Sequence, residues 1–284
     1  MGFGFRNIVG GIITLLLAMT SCLPDPLDVH DVPQLQQKIV VSSQMIPGQA
    51  VAILLTKSIG ALDASDDSDP RELLDQIVIS DASVRITGDG KDYPLIYLGN
   101  GVYGGAAIPL AAGQEFTLHV VSPTLGSVQA TTTVQPAVAF TAVDAFVTIN
   151  GRDTLAQVSY TVVDQPGTNW YMIAAQHVQR ENFEDGIINP QVTTKLLTES
   201  DFESGIRKDN FKILFDEVKD GDTVSVSLAN ISKDYYNFMK LREDTRFGIA
   251  AALGEPINYP SNVEGGLGFF NLFVPDVRLI VLGD

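Results

Sequence analysis

Along most of the chain, apolar and polar residues alternate with a period of two, the repeat of a strand with one buried and one wet face. Ile39-Val40-Val41 and then Val51-Ile53-Leu55 flank the turn signal Pro47-Gly48. Val84 and Ile86 alternate with Arg85 and Thr87 before Gly88-Asp89-Gly90 turns the chain. Tyr93, Leu95 and Tyr97 alternate next and run into Gly99-Asn100-Gly101, whose residues tolerate positive φ. Phe116, Leu118 and Val120 follow, and Thr131–Val134 make a last β-branched strand. Short strands at this spacing predict a β-sandwich over residues 35–135, with a boundary at Gln135-Pro136.

A second alternating half, 137–284, follows the boundary. Phe140, Val143, Phe146, Val147 and Ile149 lead to the turn Asn150–Asp153. Val158, Tyr160 and Val162 alternate, and Trp170–Ile173 read as a buried strand. Residues 178–210 are polar and read as a long excursion. Phe211, Ile213 and Phe215 alternate after it, as do Val224, Val226 and Leu228, and finally Val277, Leu279 and Val281. The period changes at 233–243, where Tyr235, Phe238, Met239 and Arg242 share one helical face. In the tail, Gly265, Gly266 and Gly268 imply a tight backbone path, pinned by Phe269, Phe270 and Phe273. The expected fold class is all-β: two tandem immunoglobulin/fibronectin-like sandwiches, the second carrying one short helix.

The N-terminus breaks the alternation. A continuous apolar stretch runs from Ile8 to Met19 behind Arg6. It is too short to span a bilayer, which takes about 20 residues as a helix, and fits the hydrophobic part of a secretory signal. Thr20 and Ser21 lead into Cys22, the only cysteine of the chain. A small residue before a cysteine at this place resembles a bacterial lipobox. The expectation is a signal peptide over 1–21, cleavage between Ser21 and Cys22, and lipid attachment at Cys22. Residues 22–34, rich in Pro and Asp, read as a spacer between lipid and fold. The protein is thus expected in the bacterial cell envelope, held to a membrane by its lipid.

Composition narrows the rest. Hydrophobic residues make up 45% and charged residues 18% of the 284, which describes folded cores rather than disorder. The formal net charge of −16 repels phosphate backbones, so nucleic acid is not an expected partner.

Several segments resemble one family. They are the lipobox Cys22, KIVVSSQMIPGQAVAILLTKS, DASVRITGDGKDYPL with GNGVY, AAGQEFTLHV with ATTTV, NWYMI, GDTVSVSLANISKDYYNF and, above all, SNVEGGLGFF. In this order they resemble domain-of-unknown-function family 4249, outer-membrane lipoproteins commonly encoded beside TonB-dependent receptors. The acidic stretch 61–76, and Asn169-Trp170-Tyr171 where the family often has Asn-Tyr-Tyr, are local departures. The resemblance transfers no catalytic residue. It implies a location and a partner: an accessory lipoprotein beside a receptor barrel.

The search for chemistry yields little. His30, His119 and His177 lack zinc-site spacing, and there is no GxSxG, P-loop or GxGxxG. No cofactor and no catalytic residue are expected. Asp63, Asp66, Asp67 and Asp69 are oxygen ligands that could hold calcium, although they fail the twelve-residue calcium-loop pattern. Glu181, Glu184 and Asp185 are the remaining acids considered for hydrolysis. Asp153-Thr154-Leu155 and Asp222-Thr223-Val224 resemble a bacterial O-glycosylation acceptor, at Thr154 and Thr223. Loops 61–76 and 178–210 are the expected recognition surfaces. The resulting expectation is a non-catalytic binding or accessory module, with an adhesive surface lipoprotein as the alternative and a hydrolase behind it.

Overall fold

Strands fill most of the chain, and its tail decides how they close. The computed structural model describes residues 36–46, 50–59, 75–105, 107–151, 153–178, 192–213, 217–246 and 258–283. The signal peptide, Cys22, the spacer and residues 61–74 lie outside them.

Seven early strands are β1 (Ile39–Ile46), β2 (Ala50–Lys57), β3 (Ser83–Gly88), β4 (Lys91–Gly99), β5 (Val102–Gly104), β6 (Glu115–Ser122) and β7 (Gly126–Thr133). The β3–β4 hairpin turns through Asp89 at φ 52° and Gly90 at φ 67°, the left-handed pair that a two-residue hairpin requires. Strand β7 starts earlier than the expected Thr131, because its inward Val128 and Ala130 are separated by polar residues that hide the pattern.

The second half contributes β8 (Ala142–Asn150), β9 (Asp153–Val163), β10 (Trp170–His177), β11 (Thr193–Thr198), β12 (Ile206–Lys212), β13 (Thr223–Asn230) and β16 (Asp276–Val281). They form a three-stranded sheet, β12-β9-β8, and a four-stranded sheet, β11-β10-β13-β16. The two sheets meet on one core, with Val158, Tyr160 and Val162 from one and Tyr171, Ile173, Val224 and Val226 from the other. The expected excursion 178–210 therefore contains ordered strands at 193–198 and 206–212. Both are edge strands in which nearly every residue is at least partly exposed, so their sequences carry almost no apolar alternation. Phe215, placed by sequence on a strand, lies outside the described residues, and β12 ends at Lys212 with Ile213 buried just beyond it.

The tail corrects the assignment of 137–284 to the second half alone. Strands β14 (Val263–Glu264) and β15 (Leu267–Phe269) belong to the early strands. Together they make a nine-stranded sheet in the order β14-β7-β6-β3-β4-β5-β2-β1-β15. Its two terminal strands are consecutive in sequence, joined by Gly265-Gly266, so the tail clasps the two ends of the sheet together around the first core. Val263, Phe270 and Leu272 are buried there beside Ile39, Phe116 and Leu118. Each such side chain contributes about 1.5–3 kcal/mol by leaving water.

The clasp explains its own glycines. A Cβ at Gly266 would lie 2.6 Å from the Ile39 carbonyl oxygen. One at Gly268, whose φ is +97°, would lie 2.0 Å from that of Val41. The Asn262 side chain locks the loop: its Oδ1 accepts from the Phe270 N–H at 2.9 Å, and its Nδ2 donates to the Phe270 carbonyl at 2.8 Å. Asn271, 1% exposed, accepts from Thr132 and from Ser232 through Oδ1, and its N–H donates to Ser43 Oγ.

The helix α1 (Lys233–Arg246) is capped by Ser232, whose Oγ accepts from the Tyr235 N–H at 3.2 Å. Its Tyr235 and Met239 are buried with Met172 and Ala229 of the four-stranded sheet and with Phe269 and Phe273 of the tail. Partly buried Met45 of β1 packs on the same cluster. The helical aromatics therefore serve packing.

Candidate functional site

One face of the nine-stranded sheet carries rows of polar side chains. Inward residues of β3, β6 and β7 fill the core, so their alternates stand in solvent. Register aligns those alternates in rows. Glu264 pairs with Gln129, Gln129 with His119, and His119 with Arg85. These planar hydrogen-bonding groups, on four adjacent strands, are spaced by about 4.8 Å per strand. A neighbouring row carries Thr131, Thr117, Thr87 and Asp92. The rows are cross-linked: Thr87 Oγ1 lies 3.1 Å from His119 Nε2, Thr117 and Thr131 hydroxyls share a 3.1 Å bond, and Arg85 reaches Asp92 at 3.4 Å.

Two shallow depressions lie on this face and share Arg85. One, of about 420 Å³, is lined by Ser83, His119, Ser127, Gln129 and Glu264 among others. The other, of about 550 Å³, is lined by Thr87, Lys91, Asp92, Glu115 and Thr117. Donors and acceptors of both signs are thus fixed on a rigid sheet and open to water. Such a surface presents hydrogen-bonding and charged groups to solvent.

Most of the residues singled out from sequence lie outside the described ones. Ser21, Cys22, Asp63, Asp66, Asp67 and Asp69 lie outside the described residues, as do His30, Glu181, Glu184 and Asp185. His119 sits in the polar row, while His177 ends β10 with Nε2 3.6 Å from Asp222 Oδ2. Among the described residues, no group of three or more His, Cys, Asp or Glu could hold a metal ion. No helix among them is long and apolar enough to cross a membrane.

Thr154 is the second residue of β9 and Thr223 the first of β13, each half-buried and each close after a turn. The fold brings them to the same end of the second core. The Thr154 carbonyl accepts from the Val218 N–H at 3.0 Å, and the turn from Lys219 to Asp222 leads directly to Thr223. That turn is held by the Lys219 N–H donating to Asp222 Oδ2 at 3.0 Å.

A charged group links β12 to β11. Asp209 accepts from Arg207 and lies 3.9 Å from Lys195. Burial raises its carboxyl, but the Asn210 N–H and the Arg207 and Lys195 charges outweigh that and hold it below the usual 3.8. Arg207 also lies against the buried Tyr160 hydroxyl, which burial pushes above its ordinary value. Tyr171 is pushed up likewise, by burial first, while its hydroxyl donates to Asp164 at 2.7 Å. These groups join strands and turns of the second half.

Sequence reasoning missed the polar row because its members come from Arg85, His119, Gln129 and Glu264, far apart in the chain. The available signal was that each stands at the wet position of an alternating strand.

No curated protein matches the chain. Among solved structures, the FN1–FN3 domains of chicken CNTN1 align at 10% identity and TM-score 0.25, covering 87% of this chain and 67% of that one. A two-domain fibronectin type III segment of chicken tenascin aligns at 10% identity and TM-score 0.22, covering 86% and 99%. The profile of a domain of unknown function, DUF4249, matches residues 26–276. With nearly the whole chain matched, this protein belongs to the DUF4249 family.

Proposed function

We propose that the chain is a lipid-anchored, non-catalytic binding and accessory module of the bacterial outer membrane, working beside a TonB-dependent receptor. The observation that carries the binding part is the row Glu264–Gln129–His119–Arg85 on a clasped sheet. A clasped sheet keeps its side chains in place, which lowers the ordering cost of recognition. The lipobox-like approach to Cys22 supports the anchor, and the family's company supports the partner by analogy. The architecture proposed is two tandem immunoglobulin/fibronectin-like sandwiches, over 35–135 and 137–284, with the tail returned to the first.

The test is affinity purification from native outer membranes in mild detergent. The wild type is expected to bring down a receptor barrel in stoichiometric amount. The double variant Arg85→Glu, His119→Glu is expected to fold and to lose it, since both positions face solvent. A solitary wild-type chain would overturn the receptor reading. Cys22→Ala is expected to leave the membrane fraction. Intact mass of the purified chain reads acyl chains at Cys22 and any sugar on Thr154 or Thr223; a mass of acylated polypeptide alone removes both threonine sites.

A further inference from the structure

Strand β16 ends the four-stranded sheet, and its outer edge has no partner strand among the described residues. Its register on β13 pairs Val281 with Thr223, Leu279 with Ser225 and Val277 with Ser227. Just past it, the Leu282 N–H donates to the Asp222 carbonyl at 2.8 Å. On the far side of β13, the Thr223 carbonyl accepts from the Val178 N–H of the β10 side. In an antiparallel ladder the bonded pairs alternate. Residues 278, 280 and 282 therefore spend their backbone groups on β13. The N–H and C=O groups of Val277, Leu279 and Val281 point to the open edge.

Two of these three residues also carry exposed side chains, and Val277 is half-buried. Leu279 is 68% and Val281 45% exposed, whereas Ile280 packs on the second core. Natural edges are usually guarded by an unpaired charge or a proline. Here the one cation, Arg278, is neutralised by both oxygens of Asp276, at 2.9 and 3.0 Å. Pro275 precedes the strand and has no N–H to extend a ladder, so the edge ends at Val277.

The pattern Val277-x-Leu279-x-Val281 is a palindrome. Read antiparallel against itself and centred on Leu279, it sets Val277 opposite Val281, Leu279 opposite Leu279 and Val281 opposite Val277. Every residue with free backbone groups then meets another, and each pair exchanges both hydrogen bonds. The apolar side chains form one continuous stripe across the seam, and no unpaired charge enters it. We infer that two copies of this chain pair through β16 about a two-fold axis at Leu279, joining their four-stranded sheets into one.

The chain purified in mild detergent tests this by sedimentation. The wild type is expected at twice the mass of one chain, and Leu279→Lys, which sets two ammonium groups on the axis, at the mass of one. A wild type that sediments as a single chain overturns the inference. Register is tested by Leu279→Cys and Val281→Cys under mild oxidation. Leu279 faces its own copy at about 5.5 Å between Cα atoms, within the roughly 4.4–6.8 Å that a disulfide spans. Val281 lies at least about 13 Å from its copy. Leu279→Cys is expected to give a covalent dimer absent from Val281→Cys and from the wild type, which carries Cys22 alike. Equal cross-linking in all three, or none in Leu279→Cys, overturns the seam.

Discussion

At Gly268 two demands meet in one residue. The backbone sits at φ +97°, and the space a side chain would occupy is filled by the Val41 carbonyl. Gly268→Ala adds strain at a conformation that L-residues avoid, roughly 1–3 kcal/mol, and forces β15 away from β1. We predict a loss of about 3 kcal/mol or more in urea unfolding, at the large end for single substitutions. Asn262→Ala tests the same clasp by another route. It removes the bonds to the Phe270 N–H and carbonyl and to the Thr131 carbonyl at 3.2 Å. Unpaired backbone groups in a partly buried site cost about 1–3 kcal/mol, so a loss of about 2 kcal/mol is expected. An Asn262→Ala protein as stable as the wild type would show that the side chain merely accompanies the turn. These residues fall within SNVEGGLGFF, so the segment that most strongly carries the family resemblance builds a closure of the fold.

Strands with one dry and one wet face were legible in the sequence, because alternation there has a physical cause. Val84 and Ile86 against Arg85 and Thr87 is the clearest example, and the helix with Tyr235 and Met239 buried follows the same logic at its own period. Strand β11 and the first residues of β12 were hidden because edge position removes the need for apolar residues. The pairing partner of the tail was hidden for a different reason: alternation says which face is buried, and nothing about which core buries it. The polar row needed register, which no single strand encodes. Strand β12 makes a prediction of its own. Its Asp209 carboxyl is held below 3.8 in the fold, so the stabilisation is present above the unfolded value and is lost as pH falls through the folded one. Asp209→Asn is expected to flatten the acid side of the stability curve below about pH 4. Urea unfolding at pH 3 and pH 7 reads this, and an unchanged difference between the two would remove Asp209 from the account.

For the whole molecule, the tail makes the two halves one folding problem. Val263, Phe270 and Leu272 complete the first core, and Phe269 and Phe273 complete the cluster beneath the helix, on opposite sides of one short segment. Asn271 stands between them, bonded to Ser43 of β1, Thr132 of β7 and Ser232 at the helix cap. A fragment of residues 36–136 keeps every early strand but loses β14 and β15. It thereby opens both ends of the sheet, at β7 and β1, and leaves a gap where Phe270 was fully buried. Open edges invite pairing with other chains, and deleting a buried aromatic side chain costs about 3–5 kcal/mol. That is a large share of the roughly 5–15 kcal/mol that holds a domain. The fragment alone is therefore expected to give a poorly dispersed amide spectrum and to aggregate, and a synthetic peptide spanning 258–274 is expected to restore dispersion on addition. A fragment that folds and unfolds cooperatively without the peptide would show that the first core closes unaided, and the clasp would then be a link between two self-sufficient halves.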